Sequence, residues 1–373
     1  MSTPTFIFAG GGTGGHLYPG LAIAERLRAR LPTARVLFLC SDREIDRKVL
    51  EPEAVPFAAL PARPFAVGLR PLCRFVSSWP GAVRAARAAI REAARAGPVR
   101  VIALGGFVAA PAVQGARAER VPITLVNLDA APGKANRWIA KRIGSGTAFS
   151  TVADAAHPSW RLVAPIVRSG ATAMCDKPSC RRELGLNPDA PVLMVTGGSQ
   201  GAASVNRLMA AIAQHRPGAF NARSWQVLHQ TGKDEEADPR AAYERAGIRA
   251  LVAPFTRQMG LWWGAADLAV SRSGAGAVAE AWCNRVPCVF LPYPHHADDH
   301  QRLNAQELER RRAAIVCNDR VEPAANMADA GTVIAGLLEH PACLASMAAA
   351  AAGLPPADGA TVIAEHLAAA VMS

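Results

Sequence analysis

The chain has 373 residues, half of them hydrophobic and 6% aromatic, with a formal net charge of +11. That length exceeds one ordinary core and fits two domains. No apolar run reaches the ~18 residues that span a bilayer, and no basic segment followed by an apolar stretch and a cleavage site opens the chain, so the cytoplasm is the expected compartment. The charge is uneven. Residues 1–168 carry 23 Lys and Arg against 10 Asp and Glu, a net of +13, and the remainder carries 18 against 20, a net of −2. A positive first half implies an anionic partner there: phospholipid headgroups, a diphosphate or nucleic acid. The 8 cysteines are scattered with no C-x-x-C pair, so neither a zinc site nor a redox motif is supported, and idle thiols in a reducing compartment are expected.

In chain order, strands are predicted at residues 5–9, 35–39, 99–104 and 123–126, with helices at 21–30 and 82–96 between them. The alternation predicts a parallel sheet covered on both faces. A hinge follows near 164–170. The pattern restarts with strands at 191–195, 225–228, 250–253, 268–271, 288–291 and 314–317, and with helices starting after Gly201, after Gly276 and around Asp299. Residues 358–373 read as a terminal helix with Val362, Ile363, Leu367 and Val371 on its apolar face.

Two glycine turns follow the first strand of each half: Gly10-Gly11-Gly12-Thr13-Gly14-Gly15-His16 and Gly197-Gly198-Ser199-Gln200-Gly201-Ala202. A strand running through glycine into a helix leaves N–H groups at a helix N-terminus, where an anion is favoured, and glycine lets the backbone approach a phosphate. The first turn also satisfies G-x-G-x-x-G, with Asp42 near the ribose position of a dinucleotide site. Taken alone, that admits an NAD-dependent enzyme. His16 at the mouth of the turn can serve as a general base, since its ordinary pKa lies near neutrality. A third signature, Ser271-Arg272-Ser273-Gly274-Ala275-Gly276-Ala277-Val278-Ala279-Glu280, opens another helix. Its small residues let N–H groups reach a diphosphate, and Glu280 can accept hydrogen bonds from ribose hydroxyls. The segment 292–305, with His295, His296, Asp298, Asp299, His300 and Gln301, can hold either a metal or sugar hydroxyls. The lack of an i, i+4 His pair favours hydroxyls. No basic-aromatic platform or reading motif for nucleic acid is present.

Residues 10–20 (GGGTGGHLYPG), Gly105-Gly106-Phe107-Val108, Asn136-Arg137-Trp138, 197–202 (GGSQGA), 271–280 (SRSGAGAVAE) and 292–305 together resemble the MurG family of N-acetylglucosaminyltransferases, in order and over nearly the whole chain. The resemblance implies an α/β chain of GT-B fold, two Rossmann-like domains with a cleft between them. Residues 1–166, with helix 358–373 packed back on them, would form an acceptor and membrane domain, and 167–357 a UDP-GlcNAc-binding domain. It implies inverting transfer of GlcNAc from UDP-GlcNAc to the muramoyl hydroxyl of lipid I, giving lipid II for peptidoglycan, without a cofactor or metal. Arg168, Ser199, Phe255, Thr256, Arg272, Ala275, Gly276, Ala277, Glu280, His300 and Gln301 would surround the donor, with Phe255 and the Thr256 backbone at the uracil. Gly12, Thr13, Gly14, Gly15 and Asn127 would receive the acceptor diphosphate, and His16, with Asp129 as second candidate, would be the base.

One departure from the family pattern is Val126-Asn127-Leu128-Asp129, where His-Glu-Gln-Asn is usual. It leaves open a related GT-B enzyme with another acceptor. More distant readings are the NAD enzyme and a non-enzymatic binder of anionic polymers. Between Arg63 and Arg95, arginines at 70, 74, 84, 87 and 91 interleave with Phe65, Leu69, Leu72, Phe75, Val76 and Trp79. That pattern fits peripheral attachment to the anionic cytoplasmic face of the inner membrane.

Overall fold

The computed structural model describes residues 3–12, 14–143, 148–198, 200–295 and 299–372. The chain divides into two compact units, Met1–Arg168 with Asp358–Ser373, and Ser169–Ala357. The first holds β1 (Thr5–Ala9), α1 (Gly14–Arg30), β2 (Arg35–Ser41), α2 (Glu44–Leu50), β3 (Phe57–Leu60), α3 (Leu69–Ala94), β4 (Val99–Ala103), α4 (Gly106–Ala118), β5 (Ile123–Asn127), α5 (Lys134–Ile143), β6 (Ala148–Ser150) and β7 (Arg161–Leu162). The second holds α6 (Lys177–Glu183), β8 (Val192–Thr196), α7 (Ala203–His215), α8 (Pro217–Asn221), β9 (Gln226–Gln230), α9 (Ala237–Arg245), β10 (Ala250–Ala253), α10 (Met259–Ala265), β11 (Leu268–Ser271), α11 (Ala275–Asn284), β12 (Cys288–Phe290), α12 (His300–Arg310), β13 (Ala314–Val316), α13 (Pro323–Asn326), α14 (Thr332–Glu339) and α15 (Pro341–Ala352). Helix α16 (Gly359–Met372) returns to the first unit.

Both sheets are wholly parallel, in the orders β3-β2-β1-β4-β5-β6-β7 and β10-β9-β8-β11-β12-β13. Counted within each unit, both follow the 3-2-1-4-5-6 order of a doubly wound nucleotide fold. Helices cover both faces, so β1 and β8 are buried at every residue and read as unbroken apolar runs. The chain reverses direction across each sheet between β1 and β4, and between β8 and β11. Such switch points leave a crevice at the strands' C-terminal ends.

The structure lengthens two predicted helices. Helix α1 begins at Gly14 and carries Pro19 inside it, and α3 begins at Leu69 and runs through Pro80. Each proline forgoes one backbone hydrogen bond, a loss that ends a helix by sequence rules but that packing of the flanking turns overrides here. In α3 the residues Ala82, Ala86, Ile90 and Ala93 face inward at helical spacing, and the helix packs on α4. Its first half leaves Leu69 80% and Val76 59% exposed, beside Val67 at 92%. The short strands β3, β6 and β7 escaped the sequence reading. Helix α16 lies on α1 with Ile363 and Leu367 fully buried, Arg30 paired to Glu365 at 3.6 Å, and Gly359 N–H donating to Pro165 O at 3.3 Å.

Candidate active site

In the first unit the glycine turn after β1 closes around an internal carboxylate. Gly12, held at φ +87°, donates its N–H to both oxygens of Asp46 at 2.9 Å. Ser41 adds its N–H at 2.8 Å and its hydroxyl at 2.6 Å to Asp46 Oδ2. Asp46 is fully buried at the first turn of α2, and a side chain on Gly11 would collide with it. The Gly12 amide, expected at the diphosphate, serves the Asp46 carboxylate in this structure. Gly14 and Gly15 begin α1, Gly14 buried and Gly15 exposed, while Thr13 lies outside the described residues.

His16 is the third residue of α1 and lies against the turn between β4 and α4. A Cβ on Gly105 would stand 3.2 Å from His16 Nε2, and one on Gly106 3.4 Å from Nδ1. Both glycines have positive φ, +100° and +74°, so the pair is required by conformation and by closeness to the ring. Burial holds the imidazole below its ordinary pKa, and the carboxylates of Asp129 and Asp46 pull it partway back. His16 is thus neutral at neutral pH, the form a general base needs.

Asn127 ends β5 and is also redirected. It is buried, its amide donates to Asp129 O at 2.8 Å and Ser150 Oγ at 3.1 Å, and its carbonyl accepts from Asn136 at 3.0 Å. Those bonds occupy the amide that was expected to meet a diphosphate. Asn127 instead braces the loop bearing Asp129. Asn136 Oδ1 is buried and has no hydrogen-bond partner among the described residues, and a Cβ on Gly105 would be 3.0 Å from it. Asn136 was part of a noted triplet but had no assigned role. Asp46 gave no sequence signal at all. Arg168 lies in this unit, paired with Glu53 at 3.0 Å and stacked over Tyr18 at 4.4 Å. A cavity of about 410 Å³ lined by Asp154, His157, Trp160 and Leu162 contains none of the predicted site residues.

In the second unit the turn after β8 is fixed by its glycines and by Gln230. Gly201, at φ +76°, abuts the backbone of Thr231 and Gly232, leaving no room for a side chain. Gly198 faces open space, and its carbonyl accepts from Gln230 Nε2 at 2.9 Å. Gln230 Oε1 also accepts the Thr256 N–H at 3.3 Å, which ties the 255–256 loop to the turn. Thr256 is buried and Phe255 is 45% exposed. Ser199 lies outside the described residues.

Helix α11 follows β11 at the switch point. Neither Gly274 nor Gly276 would bring a Cβ within 4 Å of anything, so the helix N-terminus, with Ala275 and Ala277 partly exposed, faces open space. Glu280 lies farther along α11, and its Oε2 accepts a hydrogen bond at 2.9 Å from the indole N–H of fully buried Trp263. Sequence reasoning found the carboxylate and missed the indole that aims it. Asn304 of α12 donates to Ser273 O at 3.3 Å, which brings His300 and Gln301 to the same end of the sheet. Gln301 accepts the Tyr293 N–H at 2.9 Å. His296 and Asp298 lie outside the described residues. Among the described residues, no three His, Cys, Asp or Glu side chains gather to hold a metal.

Arg272 is the third redirected residue. Its guanidinium reaches Asp319 at 2.6 Å, Ser204 at 2.8 Å, and the carbonyls of Leu291 at 2.8 Å and Pro292 at 3.1 Å. Asp319 is fully buried at its side chain and also accepts from Ser204, Asn326 and the Val321 N–H. Burial opposes the Asp319 charge, but these hydrogen bonds and Arg272 outweigh it and hold the carboxyl below its ordinary range. Arg272 clamps the start of α7 to the loop after β12.

Residues 6–145 match the glycosyltransferase family 28 N-terminal domain, and 192–363 match the glycosyltransferase family 28 C-terminal domain. Proteins of Geobacter metallireducens and Clavibacter sepedonicus are 32% and 34% identical over 97% and 99% of this chain and 97% of their own. Both are named UDP-N-acetylglucosamine–N-acetylmuramyl-(pentapeptide) pyrophosphoryl-undecaprenol N-acetylglucosamine transferase. The crystal structure of Acinetobacter baumannii MurG superposes with a TM-score of 0.70 at 22% identity, covering 99% of this chain and all of that one. The two doubly wound sheets are those of the GT-B fold. The chain belongs to the MurG family of glycosyltransferases, within glycosyltransferase family 28.

Proposed function

We propose that this enzyme transfers GlcNAc from UDP-GlcNAc to the muramoyl hydroxyl of lipid I, forming lipid II. The observation that carries this reading is the full-length likeness to relatives named for that transfer, joined to a helix N-terminus at the switch point of each sheet. In the second unit, Phe255 and the Thr256 carbonyl meet the uracil, Glu280 takes the ribose hydroxyls, and the α11 N–H groups take the diphosphate. His300 and Gln301 lie on the sugar side. In the first unit, the start of α1 receives the acceptor diphosphate and His16 removes the proton of the attacking hydroxyl. Attack comes from the face opposite UDP, so the anomeric centre inverts. Charge growing on the leaving diphosphate is stabilised by the α11 dipole and N–H groups.

A radiolabelled UDP-GlcNAc transfer assay with a lipid I analogue tests the reading. Labelled disaccharide-lipid supports it. Turnover only on a different hydroxyl acceptor overturns it in favour of a related glycosyltransferase, the reading that Val126-Asn127-Leu128-Asp129 keeps in play.

Trp263→Phe keeps an aromatic six-membered ring in this buried position, at the cost of a small void, and removes the N–H that aims Glu280. The KM for UDP-GlcNAc is expected to rise about tenfold with kcat retained, as for loss of a hydrogen bond to a charged group. Glu280→Ala is expected to weaken UDP binding at least as much. Steady-state kinetics and calorimetric titration with UDP check both.

Membrane attachment at the cytoplasmic face rests on the exposed set Phe65, Val67, Leu69, Leu72 and Val76 beside exposed Arg70 and Arg74. Lys134 lies over the Phe65 ring at 4.9 Å. Not all the arginines of this stretch contribute, since Arg87 and Arg91 both pair with Glu119, at 2.6 and 2.9 Å. Each remaining cation adds about 1 kcal/mol near an anionic surface. Flotation with anionic vesicles is expected to be strong at low salt, weakened by added salt, and lost in Leu69→Asp. Binding indifferent to lipid charge would refute the attachment.

A further inference from the structure

Cys175 and Cys180 stand outside every group described above. Asp176 caps α6, its side chain accepting the Ser179 N–H at 2.8 Å, and Cys180 N–H donates to Asp176 O at 3.0 Å. Cys175 is thus the residue before the cap and Cys180 the fourth residue of the helix, the two positions whose side chains meet in a hydrophobic staple. Their sulfurs are 2.6 Å apart. Both thiols are free, and they stand inside the usual contact distance of two unbonded sulfurs. Below them, Gly264 of α10 leaves the room that Cys180 occupies: a Cβ there would stand 2.6 Å from its Sγ. Cys180 is buried, while Cys175 is partly exposed beside Met174, itself 90% exposed.

We infer that Cys175 and Cys180 form a reversible redox pair, closed by thiol–disulfide exchange with a low-molecular-weight disulfide. The Cys175 thiolate attacks that disulfide, forms a mixed disulfide and expels one thiolate. The Cys180 thiolate then attacks Cys175 Sγ and expels the second. The protein loses two protons and two electrons, and the small disulfide becomes two thiols. Burial first, and then the hydrogen bond and charge of Cys175, push the Cys180 thiol up to about 12, so Cys175 is the sulfur that meets the oxidant. The pair lies where the second unit begins. The strap before it is tied to α11 by Asn284, which accepts the Ala173 N–H and donates to Ala171 O, both at 2.8 Å.

The full-length protein is incubated with oxidised glutathione, blocked with iodoacetamide and digested with trypsin. Lys177 precedes Pro178 and resists cleavage, so both cysteines stay in peptide 169–181. That peptide is expected two hydrogens lighter and unlabelled, with dithiothreitol restoring both labels. In Cys180→Ser, glutathione is expected to remain on Cys175 at roughly ten times the native level, because the resolving thiol is gone. The inference is overturned if both cysteines label while exposed Cys73 is glutathionylated, if glutathione persists on Cys175 of the native chain, or if Cys175 links to Cys283. The native-chain result decides even if the variant does not fold.

Discussion

His16→Ala is expected to lower kcat about 100- to 10,000-fold, the span of a lost general base, while UDP binding by calorimetry stays within twofold. The separation follows from placement: His16 stands against Gly105 and Gly106 in the first unit, and the proposed nucleotide ligands are in the second. The pH dependence has a definite sign. Because the imidazole is held below its ordinary value of about 6.5, it stays unprotonated through neutrality, and kcat/KM falls only as the pH drops through that lowered value. Asp129→Asn removes a charge that favours the imidazolium, so the acid limb moves lower still. Near-normal turnover in His16→Ala, or an acid limb unmoved by Asp129→Asn, would remove the base from His16.

Asp319→Ala is expected to destabilise the second unit by about 3–5 kcal/mol, the usual effect of removing one partner of a buried ion pair. The guanidinium of Arg272, only 11% exposed at its side chain, would lose its countercharge, and Ser204 and Asn326 would lose their acceptor. Denaturant unfolding followed by tryptophan fluorescence measures it, since Trp225, Trp262, Trp263 and Trp282 are all buried in this unit. The same carboxylate sets an acid sensitivity. Its folded pKa lies below the unfolded one, so its contribution is complete above the ordinary carboxylate range and is lost as the pH falls through the folded value. UDP affinity is expected to fall with stability, since the clamp also fixes the Leu291 and Pro292 carbonyls beside the proposed donor site. A loss below about 1 kcal/mol, typical of an exposed pair, would show that the clamp does not hold the unit together.

The parts of this molecule legible in its sequence are those written in short-range pattern. Strands β1 and β8 announce themselves as apolar runs ending in glycine, and α11 as small residues after a strand. His16 and Glu280 were visible because each sits at a fixed offset from such a turn. Side-chain partnerships across long separations left no trace. Asp46 fills the first turn from 34 residues downstream, and Asp319 holds Arg272 from farther still. Gly12, Asn127 and Arg272 show why: each residue type suits an anion site, and the internal partner that engages each in the fold is not visible from local pattern. Trp263 could not be foreseen as the group that orients Glu280, because an indole in an apolar helix reads as core. Helices α1 and α3 start upstream of the predicted 21 and 82, with Pro19 and Pro80 inside them, residues whose local pattern does not announce a helix interior.

The return of α16 to α1 makes the first unit discontinuous along the chain, and this dictates how the enzyme can be cut and recombined. The backbone leaves this unit near Pro165 and re-enters beside it at Gly359. Residues 169–357 are therefore an insertion with neighbouring points of departure and return, and a hybrid enzyme must exchange them as a cassette with two junctions. A single crossover would mate α1 with a foreign terminal helix and leave the seat of Ile363 and Leu367 mismatched.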